Sequence, residues 1–243
     1  MPTAVKAVLA DAYIKTLVWG EPGSGKSRFA LSSPSPLVID LEGSTRLYAG
    51  EFDFLVAGVN RTIPDIESPA KLVTKIVTEI ESGEYPDCST LVIDPITDLL
   101  DNLEMYSAAS YEKMIGRKVS DLNALQKTKW YAYRRDRARN MIDRIKDLPM
   151  NLILVARSKP LWTDDGGKMK VDGETYDALP IVESLMDIVI HLQKQGQNNY
   201  TAKIKKSRLG NLPDTLETSS YSGIISAIRE CQEEATKRIN EEK

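Results

Sequence analysis

Tyr13-Ile-Lys-Thr-Leu-Val-Trp19 runs directly into Gly20-Glu-Pro-Gly-Ser-Gly-Lys-Ser27. The first seven residues, rich in β-branched and aromatic side chains, predict a strand. Residues 26–31 predict a helix that Pro34 and Pro36 cut short. The segment between them matches G-x-x-x-x-G-K-[ST] in the strand–loop–helix setting that a phosphate-binding loop requires. Glycines keep Cβ atoms clear of a backbone wrapped around phosphate oxygens, and the start of the helix turns free N–H groups toward the anion. Lys26 is the candidate for the β- and γ-phosphates and Ser27 for Mg²⁺. The nucleotide-contacting set is Gly20, Glu21, Pro22, Gly23, Ser24, Gly25, Lys26, Ser27 and Arg28.

Working outward, short apolar runs alternate with longer amphipathic stretches. Residues 37–41 (LVIDL), 90–93 (TLVI) and 151–156 (NLILVA) predict buried strands. Leu72, Val73, Ile76, Val77 and Ile80 recur at helical spacing within residues 68–80. A second helix is predicted from Ile96 to about Ser110, and the longest over residues 122–148. Residues 186–193 and 200–206 predict two strands joined by a turn at 195–199, and residues 220–243 a terminal helix with a charged tail. Strands alternating with helices imply an α/β fold, with a mostly parallel sheet flanked by helices. The closing pair adds an antiparallel edge. A single domain is expected, its core at about 13–213 and its C-terminal helix at 220–243.

Composition narrows the function classes. Thirty-five acids against 32 bases give a net charge of −3, which excludes a globally basic nucleic-acid coat while leaving local basic segments open. A single histidine, His191, excludes a His-rich metal site and Ser/His or Cys/His catalysis. Two distant cysteines and the lack of a long apolar run predict a soluble chain in a reducing, intracellular setting.

Two carboxylates complete the nucleotide site. Leu91-Val-Ile-Asp94 is an apolar strand that delivers an acid at its C-terminal end, where Asp94 would support the Mg²⁺ shell. Leu37-Val-Ile-Asp-Leu-Glu42-Gly43 ends the preceding strand in a second acidic group, with Glu42 as candidate base for the attacking water. Without chemistry, the same residues are a polar cluster capping a turn.

With these motifs in hand, residues 13–213 resemble the RecA-like P-loop ATPases. They are most similar to the small phage single-strand annealing recombinases of the Sak type. The resemblance implies a RecA-like core, ATP hydrolysis with Glu42 activating water, and a γ-phosphate sensor at Arg157 or Ser158. It also implies a Lys-x-Arg pair, Lys206 and Arg208 in IKKSRLG, that reaches the ATP of a neighbouring subunit in a ring or filament. Gln126 and Trp130 fit a Q-x-x-x-W pattern of the phage family. The implied partners are single-stranded DNA and a single-strand-binding protein, and the implied setting is the cytoplasm of a phage-infected host.

The resemblance also implies two DNA loops, after the third and the fourth strands. The first, residues 106–123, carries Tyr111, Lys113, Arg117 and Lys118; the second, residues 158–174, carries Lys159, Trp162, Lys168 and Lys170. Rings and cations together suit single strands, since bases stack on the rings and phosphates pair with the cations. Gly166-Gly167 reads equally well as a hairpin turn. Residues 127–146 hold eight basic residues against two acids, a local +6 that serves DNA, a contact between subunits or plain solvation. The alternative function is a P-loop ATPase switch or motor acting on protein partners.

Overall fold

The computed structural model describes residues 13–58, 68–196, 199–210 and 212–241, the terminal helix beyond Cys231 by its backbone alone. The first dozen residues, Gln197 and Asn198 of the expected turn, and the side chains of the charged tail lie outside the described residues.

The strands are β1 (Lys15–Gly20), β2 (Pro36–Asp40), β3 (Leu55–Gly58), β4 (Thr90–Asp94), β5 (Asn151–Asp165), β6 (Lys168–Tyr176), β7 (Ile188–Lys194), β8 (Tyr200–Ser207) and β9 (Thr215–Leu216). The helices are α1 (Lys26–Leu31), α2 (Pro69–Glu81), α3 (Ile96–Ile115), α4 (Ala124–Lys146), α5 (Pro180–Leu185) and α6 (Tyr221–Glu241). The sheet order is β3-β2-β4-β5-β1-β7-β8-β9, and β6 pairs with β5 off this path. Strands β3 to β7 in that order are parallel, while β8 and β9 join antiparallel, as the expected edge requires.

The central strands are apolar throughout because both faces are covered. Leu17, Leu91, Ile93, Leu152 and Leu154 pack with residues of α2, α3, α4 and α5 on one face. Val18, Val92, Ile153 and Val155 pack with Phe29 of α1 and with Tyr221, Ile224 and Ile228 of α6 on the other. No helix among the described residues is long and apolar enough to cross a membrane.

Both expected DNA loops turn out to be regular structure. Helix α3 runs to Ile115 rather than Ser110 and stops at Gly116, whose φ of 69° suits glycine and whose amide donates to the Glu112 carbonyl at 2.8 Å. The first ten residues of the 106–123 segment are therefore helix. Tyr111 is buried there against Trp130 and Leu122, and its ring centroid lies 5.4 Å from that of Trp130. An aromatic cluster buried between α3 and α4 keeps this stretch helical where the resemblance implies a loop.

The second segment is a hairpin. Strand β5 continues nine residues past Ala156, turns at Gly166-Gly167 and returns as β6. Strand β3, strand β9 and helix α5 are further elements that the sequence pattern does not predict.

Helix α4 carries the basic run. Asn123 and Gln126 form a reciprocal cap, the Asn123 carboxamide oxygen accepting from the Gln126 amide at 3.0 Å and Gln126 Oε1 from the Asn123 amide at 3.1 Å. Gln126 and Trp130 of the Q-x-x-x-W pattern thus start the helix and anchor it. Arg134, Arg135, Arg139, Arg144 and Lys146 pair with Glu104, Asp136, Asp143, Glu81 and Asp147; three of these acids lie outside the run, so they offset half of its local +6.

Candidate active site

The site forms where β1, β2 and β4 end side by side and β5 leaves the central sheet. Gly20 is the tightest point of the loop. A Cβ there would stand 2.2 Å from the Leu192 carbonyl oxygen, so any other residue would push β7 away. Gly23 and Gly25 hold φ of 76° and 90°, backbone that side chains with a Cβ rarely adopt.

Lys26 Nζ donates to the carbonyls of Gly20 at 2.9 Å and Glu21 at 2.8 Å. Burial lowers its proton affinity, and Asp94 and Glu42 oppose that shift. Ser27 Oγ donates to Asp94 Oδ2 at 2.7 Å. Asp94 is only 4% exposed, and burial pushes its carboxyl up to about 6. The bond from Ser27 pulls the other way, while Asp40 and Glu42 add to the rise. A buried carboxylate facing a neutral hydroxyl is a donor set that fits Mg²⁺: two hard oxygens, one of them anionic, beside a phosphate cradle.

Strands β2 and β4 deliver their acids in register, Asp40 opposite Asp94. The two then diverge in role. Asp40 is buried and accepts from the Gly43 amide at 2.7 Å, the Thr45 amide at 3.0 Å and Thr45 Oγ1 at 2.6 Å. It shapes the turn that carries Glu42 outward, where Glu42 lines the same cavity as Lys26, Ser27 and Asp94. That cavity, about 290 Å³, is also lined by Tyr48, Arg157 and Ser158.

Both sensor candidates therefore reach the cavity, and Arg157 is the one with visible charged partners. Its Nη2 lies 3.3 Å from Glu42 Oε1, and its Nη1 and Nη2 lie 2.5 and 3.2 Å from the two oxygens of Asp98. Arg28, the last residue of the expected nucleotide set, ion-pairs with Glu51 and sits over the Tyr48 and Phe52 rings. Asp40, Tyr48 and Asp98 escape sequence reasoning. Asp98 in the first turn of a helix reads only as a charge favoured by the helix dipole.

Lys206 and Arg208 are not brought to this cavity. Ser207 pairs with Ile188, which pairs with Thr16, so both lie at the end of the sheet opposite the loop, on the order of 15 Å away along the strands. Lys206 Nζ donates to the carbonyls of Glu183 at 2.6 Å and Ser184 at 3.3 Å; Arg208 Nη2 donates to the Ser184 carbonyl at 2.7 Å. Within the chain they fasten the end of α5.

The expected DNA contacts also separate. Lys113, Arg117 and Lys118 sit at the far end of the 20-residue α3, about 30 Å of helix from its start beside Asp94. Lys159 pairs with Asp177 at 3.1 Å. On the hairpin, Trp162 faces Val171, while Lys170 pairs across with Thr163 and Lys168 with Asp165. Since side chains alternate along a strand, Trp162 shares a face with Met169 and Val171, and the two lysines occupy the other.

This geometry defines a class: an α/β domain whose glycine-rich loop, Asp94-bearing strand and acidic turn meet in one cavity. A family model described as the AAA domain matches residues 12–212, most of the chain, and the protein belongs to that family. It is accordingly a P-loop ATPase with a nucleotide-binding core. No curated protein matches the chain.

Proposed function

We propose that this chain hydrolyses Mg·ATP and uses the cycle to bind single-stranded DNA for annealing or strand exchange in phage-type homologous recombination. One observation carries the hydrolytic part: Glu42 opens into the same cavity as Lys26, Ser27 and Asp94. Lys26 exchanges its loop carbonyls for β- and γ-phosphate oxygens. Ser27 and Asp94 would hold Mg²⁺, which would neutralise charge on the phosphates. Glu42 takes the proton of the attacking water, and Arg157 supplies positive charge where the γ-oxygens become more negative.

Assembly enters through Lys206 and Arg208. Their position far from their own cavity supports a role on the nucleotide of the next copy in a ring or filament. The DNA reading is supported by Trp162, 55% exposed on a hairpin that continues directly from Arg157 and offers a ring for base stacking. A single-strand-binding protein is the further partner this reading suggests.

The test is steady-state ATP hydrolysis with and without single-stranded DNA, with Lys26→Ala as the blank. Expected are stimulation of at least fivefold, its loss in Trp162→Ala, and loss of turnover with retained ATP binding in Lys206→Ala and Arg208→Ala. Turnover indifferent to DNA would overturn the recombination reading. A second reading, an ATPase acting on a protein partner, is favoured by the hairpin's own chemistry. One of its faces carries Trp162, Met169 and Val171 beside Asp164, which suits a protein surface, and the four acids Asp164, Asp165, Asp172 and Glu174 outnumber Lys159, Lys168 and Lys170.

A further inference from the structure

Arg157 occupies the branch point of the molecule. Strand β5 pairs with β4 as far as Leu154 and with β1 as far as Arg157, which stands opposite Gly20; from Ser158 onward it pairs with β6. Its backbone is pinned on both sides. The Arg157 amide donates to Thr97 Oγ1 at 3.3 Å, Thr97 Oγ1 donates to the Asp177 carbonyl at 2.8 Å, and the Asp177 amide donates to the Arg157 carbonyl at 2.7 Å.

The side chain is a different matter. Arg157 is 43% exposed, and a long arginine in that setting samples many rotamers unless something holds it. Two of its three charged contacts go to Asp98, one from each terminal nitrogen to each carboxylate oxygen, the bidentate arrangement that fixes both the position and the plane of a guanidinium. Asp98 is itself well fixed. Its carboxyl is 27% exposed and belongs to the first turn of α3, four residues after Asp94, where the helix dipole favours an anion. The end of β4 and the first turn of α3 thus place Asp94 in the cavity and Asp98 against Arg157 within five consecutive residues.

We propose that Asp98 is a positioning residue of the ATPase site: it holds the Arg157 guanidinium at the γ-phosphate end of the cavity and against Glu42. This rests on the ATPase reading above and adds to it the residue that decides whether the site distinguishes a nucleoside triphosphate from a diphosphate. An ordinary half-exposed ion pair would contribute little beyond a small amount of stability. The difference here is that the arginine so held lines the nucleotide cavity.

The experiment measures binding of ADP and of ATPγS separately by calorimetry, then kcat and KM for ATP, in wild type, Asp98→Asn, Asp98→Glu, Arg157→Lys and the Asp98→Asn/Arg157→Lys double variant. Asp98→Asn should leave ADP affinity within about twofold, weaken ATPγS about tenfold and lower kcat 10- to 100-fold. Asp98→Glu should recover part of both losses. Arg157→Lys, which keeps the charge but loses the fork, should match Asp98→Asn, and the double variant should be no worse than either, because both changes undo one arrangement. An unchanged ATPγS-to-ADP ratio in Asp98→Asn, or additive losses in the double variant, would overturn the proposal while leaving the ATPase reading intact. A wild-type protein that binds neither nucleotide would overturn both.

Discussion

Lys26 and Lys15 stand on either side of the same short strand, and each rests its ammonium on two backbone carbonyls. Lys26 uses Gly20 and Glu21, at 2.9 and 2.8 Å; Lys15 uses Leu148 and Met150, at 3.1 and 2.6 Å. The surroundings separate them. The Lys15 bonds are buried and stitch β1 to the turn before β5, and the Lys15 amide also donates to Asp187 Oδ2 at 3.0 Å. The Lys26 bonds lie in a glycine loop that borders a cavity with two carboxylates. A lysine on two carbonyls is therefore not a site by itself. It becomes one where those carbonyls can be given up without unmaking the fold.

The strongest way to break this comparison is substitution at both positions. Lys26→Ala should lower ATP turnover by at least about 100-fold, in line with loss of one transition-state donor, with little change in urea midpoint. Equal damage to folding and to turnover would erase the distinction.

Asp94 sharpens it next. Its folded value of about 6 lies above the ordinary 3.8, so the charged carboxylate is what the fold penalises. Stability should fall as pH rises from about 4 through 6, by up to about 3 kcal/mol, and stay low above that. Asp94→Asn should flatten this dependence in urea melts across pH, stabilise the protein at pH 8, and reduce turnover about 100-fold. Mg²⁺ should compete with the proton, so wild-type affinity for the ion should weaken as pH drops below about 6. A variant that loses turnover without gaining stability would remove the strain assigned to this carboxylate.

The smallest effect is expected at the other lysine. Lys15→Met strands the carbonyls of Leu148 and Met150 in a buried place, a loss of about 1–3 kcal/mol, while kcat per folded molecule stays within twofold. Burial holds the Lys15 ammonium down to about 8, with Asp187 opposing, so wild-type stability should rise as pH climbs from about 8 toward 10, and Lys15→Met should not follow.

The parts of this molecule legible in one dimension are those governed by local rules. The loop from Gly20 to Ser27 and the apolar strand ending in Asp94 announce themselves because chemistry demands fixed residues at fixed spacing. Glu42 is legible because its strand ends in an acidic turn. The far end of α3 is not, since Tyr111 belongs to helix only by virtue of Trp130, nineteen positions further on. The hairpin is legible only at its Gly166-Gly167 turn: residues 158–174 are exposed or half-exposed on both faces, so no apolar alternation marks its arms. Nor can spacing show that Arg157 meets Asp98 and Glu42, which lie 59 and 115 residues away.

Strand β5 has one more consequence. Seven of its residues, Asn151 to Arg157, pair with β1, β4 or both, and the next eight stand out as one arm of the hairpin. Sliding the strand by a single residue would turn Leu152 and Leu154 to the wrong side of the sheet. Whatever grips the hairpin therefore cannot work it like a piston. It can only tilt it like a lever, with Arg157 at the fulcrum and the irregular pairing between Pro160 and Trp162 as the compliant point of the arm.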